Sequence, residues 1–285
     1  MPGRGHEVAP AQSAPRFLRA ADHPLQRRCG RLRHVHRARR LDAAQGSHGV
    51  VVGADSIAEP TTLTSGERRT LTATAVEVAA CRMEVLVDTA SERPRDTLEL
   101  TEHAATAGAD AIIVAVPQHV PHRGAVVAHL ADLARRPDLP VLVHISETDS
   151  SLDLLALSEL TSLAPNVVGV QLSTFDLAFV TEALMTFGSK FRILADVDEM
   201  TYFMLAAGAH GCVHPIANVV PGWVAEMYYA VAKDGFVEGR AAHRRLYELT
   251  RAVGAAMRPL AVKQMMSRLG LLPSAELGPI RHSIP

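Results

Sequence analysis

Val167-Val168-Gly169-Val170-Gln171-Leu172-Ser173-Thr174-Phe175-Asp176 is the stretch whose reading decides the fold. It begins as a β-branched run, the pattern of a strand buried on both faces. It ends in small and polar residues, where such a strand opens onto a loop. Units of the same shape surround it: Met83–Ser91, Ala111–His119, Pro140–Glu147, Phe191–Asp198 and Gly211–Asn218. Helical stretches separate them. The alternation predicts an α/β protein, a parallel (β/α)8 barrel of the TIM type, with functional side chains where the strands end.

The chain has 285 residues, enough for one such barrel of ~250 residues. Its 48% hydrophobic and 21% charged residues suit a soluble globular protein. A formal net charge of −1 creates no global field toward nucleic acid or membrane, so neither is expected as a partner. No apolar run approaches the ~18–20 residues of a membrane span. Cys29, Cys81 and Cys212 are an odd set without C-x-x-C spacing, which predicts a reducing compartment. The first residues lack an apolar signal segment, so the expected location is the cytoplasm.

Three regions follow: an atypical N-terminal segment over 1–43, the barrel over 44–220 and C-terminal helices over 221–285. In the first, Arg4, Arg16, Arg19, Arg27, Arg28, Arg31, Arg33, Arg37, Arg39 and Arg40 accumulate with no lysine. His6, His23, His34 and His36 join them, and only Glu7 and Asp22 oppose them up to Arg40. No period of 2 or 3.6 is present. Three readings fit: an organelle transit peptide, a basic disordered arm that meets an acidic partner, or an out-of-frame translation of GC-rich DNA. If this segment supplies no first strand, the barrel is left with two unpaired edges. Further on, Thr64 with Glu67 three residues later reads as a capping box for a helix over Ser65–Cys81.

Several motifs carry a resemblance. Gly208-Ala209-His210-Gly211 leads into Ala217-Asn218-Val219-Val220-Pro221, and Ile193-Leu194-Ala195-Asp196-Val197-Asp198 is similar to L-S-G-D-D. Ala44-Gln45-Gly46-Ser47-His48-Gly49 precedes Val50-Val51-Val52-Gly53, and Ala261-Val262-Lys263 is similar to P-V-K. From Ala44 to Leu272 the chain resembles the dihydrodipicolinate synthase and N-acetylneuraminate lyase family. The resemblance implies a class I aldolase-type barrel acting on pyruvate and other 2-oxo acids, assembled as a homo-dimer or homo-tetramer, with no cofactor.

In that family the strand matching Val167–Asp176 reads roughly G-I-K-E-A-S-G-D, and its lysine forms an imine with the substrate. Gln171 stands in that place. A carboxamide nitrogen is delocalised into its carbonyl and cannot act as the amine. The chain has only Lys190, Lys233 and Lys263, none placed at a strand end, so Schiff-base chemistry is not expected. The same matching gives the other site positions. Ser56 keeps the first hydroxyl of the carboxylate loop and Ile57 loses the second. His119 and His144 replace two relay tyrosines. Asp149 falls near the carboxylate-binding arginine, and Asp196 and His214 lie at the ends of later strands.

The expected catalytic set is therefore His144, His119, Ser56 and Gln171. The expected substrate contacts are Ser56, Ile57, Asp149, Asp196 and His214. A histidine pair suits acid/base work near neutral pH, as in a hydratase or dehydratase on a small carbonyl compound. A divalent metal is a second reading, with His119, His144, Asp88 and Asp198 as candidate ligands, although no H-x-H or H-E-x-x-H spacing supports it. The bland reading makes all of these polar partners of loop backbone, in a catalytically inactive barrel that binds a small molecule or a protein.

Overall fold

The structure, a computed structural model, describes residues 46–272 apart from 55–62, 80–81, 118–119, 121, 148, 150, 189–190 and 255–257. Residues 1–43, Ser56, Ile57, His119 and Lys190 therefore lie outside the described residues.

The described strands are β1 (Gly49–Val52), β2 (Glu84–Asp88), β3 (Ala111–Ala115), β4 (Val141–Ser146), β5 (Val167–Ser173), β6 (Arg192–Ala195) and β7 (Gly211–Cys212). All pair in parallel, in chain order from β1 to β7. Helices α1 (Ser65–Ala79), α2 (Pro94–Ala107), α3 (Arg123–Ala134), α4 (Leu154–Leu163), α5 (Leu177–Phe187) and α6 (Thr201–Ala206) connect them.

Strand periodicity sorts the side chains into two layers. Ile112 and Val114 of β3 join the core between sheet and helices, while Ala111 and Ile113 join an inner cluster with Leu86, Leu142 and Leu194. The helices answer with a 3.6-residue period: α3 buries Val126, Val127, Leu130, Ala131 and Ala134 on one face. Burying each large aliphatic side chain contributes ~1.5–3 kcal/mol, so this double-sided core fixes the strand register. At Gly169 the register requires a missing side chain. A Cβ there would lie 2.4 Å from the Arg192 carbonyl oxygen.

Helix starts are set by local chemistry. The Thr64–Glu67 capping box forms: Thr64 N–H and Oγ1–H donate to Glu67 Oε2 at 2.7 and 2.8 Å, and Glu67 N–H donates to Thr64 Oγ1 at 3.2 Å. Asp176 accepts from Ala178 N–H and Phe179 N–H at 2.9 and 3.0 Å, which starts α5 directly after the β5 loop.

One expectation is corrected. The unit Gly211–Asn218 is a strand only over Gly211–Cys212. Pro215, which has no N–H to donate to a ladder, instead opens a 3-10 turn, Pro215–Asn218. Seven parallel strands, β1 to β7, are described, and the expected eighth falls on residues 1–45, outside the described residues. After β7, α7 (Pro221–Val231), α8 (Phe236–Val253) and α9 (Arg258–Arg268) bury Met227, Leu246 and Val262 in a second core.

Candidate functional site

Three consecutive strands build the site. In β4 and β5, His144 pairs in register with Gln171, and Ser146 with Ser173. Alternate residues share a face, so His144 and Ser146 point the same way as Gln171 and Ser173. The opposite parity, Val143, Val170 and Leu172, belongs to the core shared with the helices. The site residues therefore face the inside of the barrel. Just beyond β6, Asp196 N–H donates to the Leu172 carbonyl at 3.1 Å, which carries the ladder one residue further and places Asp196 beside Ser173.

These neighbours form a continuous polar chain. His144 Nε2 lies 2.8 Å from Ser173 Oγ, and Ser173 Oγ–H donates to Asp196 Oδ2 at 2.7 Å. With its hydrogen committed to the carboxylate, Ser173 Oγ accepts from His144 Nε2–H, which assigns the imidazole tautomer from the network. His144 Nε2 is also 3.5 Å from Asp196 Oδ2. The imidazole keeps 22% of its side-chain surface exposed, against 9% for Asp196.

Burial holds the Asp196 carboxyl above the usual carboxylate range. Hydrogen bonds from Ser173 and Gln171 and the nearby His144 pull it down, and Asp198 pushes it up again. Gln171 is 3% exposed, and its Oε1 is buried without a hydrogen bond among the described residues.

A second pair lies alongside. Asp198 Oδ1 and His214 Nδ1 are 2.8 Å apart with side chains 2% and 1% exposed. The separation is that of an ion pair, but the alignment is not that of a hydrogen bond. The two carboxylates and burial push the neighbouring Cys212 thiol up to about 12, with burial the largest cause. A thiol so far from its thiolate is a poor nucleophile at neutral pH.

Two further expected residues, Asp149 and Asp88, make hydrogen bonds within their loops. Asp149 Oδ2 accepts from Ser146 N–H and from Ser146 Oγ–H, both at 2.8 Å. Asp88 Oδ1 accepts from Ala90 N–H at 2.9 Å, and Arg68 clamps the same turn through the Asp88 and Ala90 carbonyls at 2.8 and 2.7 Å. Glu147 Oε1 accepts from Phe175 N–H at 2.8 Å, which ties the β4 loop to the β5 loop. Among the described residues no group of three or more His, Cys, Asp or Glu could hold a metal ion. The structure thus brings together His144, Gln171 and Asp196, with Asp198 and His214 behind them. It adds Ser173, which sequence reasoning passed over. The available signal was parity: residues 169, 171 and 173 must share one face of β5.

Residues 33–281 match the dihydrodipicolinate synthetase family. The 4-hydroxy-tetrahydrodipicolinate synthase of Phenylobacterium zucineum is 33% identical over 232 residues, covering 80% of this chain and 78% of that protein. The enzyme of the same name from Thermus thermophilus is 30% identical over 244 residues, covering 84% and 81%. The solved dihydrodipicolinate synthase of Aquifex aeolicus has a TM-score of 0.77 and 26% identity, covering 82% of this chain and 80% of that one.

Proposed function

The chain belongs to the dihydrodipicolinate synthetase family, and from that premise we propose that it is a divergent lyase or hydratase-like enzyme that acts on a small carbonyl or 2-oxo acid substrate without an imine. The observation that carries this reading is the His144–Ser173–Asp196 chain. Gln171 occupies the inward position on β5 where the family resemblance expects the amine. The described lysines stand elsewhere, Lys233 after α7 and Lys263 on α9.

The relay works by shifting protons along existing hydrogen bonds. His144 Nε2–H is given to Ser173, so Nδ1 carries the free lone pair. A proton taken from the carbon next to a substrate carbonyl arrives at Nδ1 and makes an imidazolium. The Nε2 proton then moves to Ser173 Oγ as the hydroxyl proton moves to Asp196 Oδ2. The imidazole returns to neutrality and the carboxyl stores the proton. Burial, which favours the neutral form of Asp196, makes it a suitable store. His119, Ser56 and Ile57 complete the proposed site, and no cofactor is assigned to it.

The test uses pyruvate in D2O. Proton NMR follows loss of the methyl signal, and borohydride reduction with mass spectrometry looks for a covalent adduct. Exchange with no adduct is expected, and His144→Ala and Ser173→Ala should each slow the exchange at least ~10-fold, the lower end of the usual acid/base contribution. A reduced pyruvyl adduct, or exchange unchanged in both variants, refutes the reading. One observation favours the alternative, an inactive barrel that binds a small molecule or a protein: Asp88, Asp149 and Glu147 all hold loop backbone. Binding of 2-oxo acids without any exchange would support it.

A further inference from the structure

We propose that Gln171 selects the substrate: its side-chain oxygen accepts a hydrogen bond from a hydroxyl group on the carbon next to the reacting carbonyl, so that the site takes 2-oxo acids hydroxylated there in preference to bare ones. The inference rests on the site read above, with His144 as its base, and deepens that reading by naming the substrate class.

Gln171 sits in the middle of the inner face. It pairs in register with His144 of β4 on one side and with Leu194 of β6 on the other. The residue is buried, and its Oε1 accepts no hydrogen bond among the described residues. The Asp196 carboxyl takes a hydrogen bond from the Gln171 amide. Only the amide nitrogen can donate, so the oxygen is the end left over. The inner side chains around it are hydrocarbon: Leu86, Ala111, Ile113, Leu142 and Leu194. The polar hydrogens nearby are committed, Ser173 Oγ–H to Asp196 and His144 Nε2–H to Ser173.

A buried carboxylate can be satisfied by taking up a proton. An amide oxygen cannot, since at neutral pH it only accepts. Burying it without a donor is unfavourable, whereas an apolar side chain of the same shape would carry no such penalty. The donor therefore has to arrive with the ligand, and the surroundings narrow its chemistry. Asp196 and Asp198 act on each other as like charges, so a substrate carboxylate is turned away from this end of the site. An ammonium would hold Asp196 ionised, against the burial that raises its pKa and lets it store a proton. A hydroxyl supplies the hydrogen bond without a charge. Reach sets its position. His144 and Gln171 stand opposite each other on strands ~4.8 Å apart. A single carbon between them can face His144 Nδ1 with its C–H and Gln171 Oε1 with its hydroxyl. Ala115, which pairs with His144 from β3, is small and leaves room beside the imidazole. The proton leaves that carbon for Nδ1, its electron pair moves into the carbonyl to give an enolate, and a solvent proton later returns to the same carbon.

The probes are hydroxypyruvate and 2-oxobutanoate, which differ by a hydroxyl against a methyl of similar size. Calorimetry on the full chain gives their dissociation constants. Proton NMR in D2O, against a blank without protein, follows loss of the signal from the carbon next to the carbonyl. Hydroxypyruvate is expected to bind at least ~10-fold tighter, because the methyl group leaves a buried acceptor unpaired. Gln171→Met keeps the length of the side chain and removes the acceptor. It should erase or reverse the preference while the circular dichroism stays unchanged. Equal or weaker binding of hydroxypyruvate by the unaltered chain overturns the inference, and so does failure of both compounds to bind; neither result depends on a variant. A preference that survives in folded Gln171→Met also overturns it, by placing the acceptor elsewhere. The exchange readout keeps the two claims apart. Preferred binding of hydroxypyruvate without exchange above the blank sinks His144 as the base and upholds selection by Gln171. Exchange of both compounds with equal affinity sinks the selection and upholds the base.

Discussion

Glu84→Gln should stabilise the protein at pH 8 and do little at pH 4. Glu84 begins β2, with Oε2 buried and without a hydrogen bond among the described residues. Burial, then the Asp110 carboxylate, raise its pKa from 4.5 to about 7, against a smaller opposing effect of Arg192. A carboxyl whose folded-state pKa exceeds its unfolded value binds more protons folded than unfolded. Stability therefore falls as pH climbs between those two values, and the loss is complete above the folded pKa. The rise from 4.5 to about 7 corresponds to at most ~3.4 kcal/mol, taking ~1.36 kcal/mol per pH unit. The side chain also borders the open cavity, so solvent screening reduces the effect to roughly 1 kcal/mol. Glutamine cannot ionise and escapes the whole of it. Urea titrations followed by circular dichroism at pH 4, 6 and 8 give the comparison. The variant's advantage should grow by roughly 1 kcal/mol from pH 4 to 8, most of it between pH 4.5 and 7. The double variant with Asp110→Asn should show non-additivity, since the two carboxylates repel. A difference that stays flat with pH would refute the reasoning, and one that grows toward low pH would reverse its sign.

Other outcomes can be measured on the same material. Gly169→Ala should cost ~1–3 kcal/mol or more, as overpacking does, because the new Cβ meets the Arg192 carbonyl oxygen at 2.4 Å; a urea midpoint equal to that of the parent would contradict the packing. Ser173→Ala should cost ~1–3 kcal/mol, the penalty for leaving buried Asp196 Oδ2 without its donor, read from the same titrations. Cys212, held as a thiol at about 12, should resist iodoacetamide at pH 8 in the folded protein and react once urea unfolds it; rapid alkylation of folded protein would place it in a different environment.

Much of the fold is legible in the sequence because its signals are local. The β-branched run at Val167 and the capping box at Thr64 each depend on residues within a few positions, and both elements form as read. Gly211–Asn218 misleads because its apolar content suggests a strand, while one ring nitrogen at Pro215 decides otherwise. The candidate site is less legible because its contacts cross strands. His144 and Asp196 draw attention by residue type. Ser173 does not, and only the register of β4 with β5 brings its hydroxyl between them. Asp149 is expected from the sequence as a substrate contact, and in the structure its carboxylate also accepts from the N–H and hydroxyl of Ser146, three residues before it. Whether a carboxylate binds a ligand or its own turn depends on loop geometry that charge alone does not report.

Among the described residues the strand order runs from β1 to β7, and each of these two has one described neighbour in the sheet. β7 is paired over two residues and is the first candidate to detach. The proton chain sits on β4, β5 and the end of β6, none of them outermost. Opening at the ends is a low-cost, sub-global event, and it can recur many times without disturbing the 2.7 and 2.8 Å contacts at Ser173. Fraying at β7 and the proposed proton chain thus fall on different strands, and amide exchange at Ser173 should resemble that of the protein's slowest core rather than that of β7.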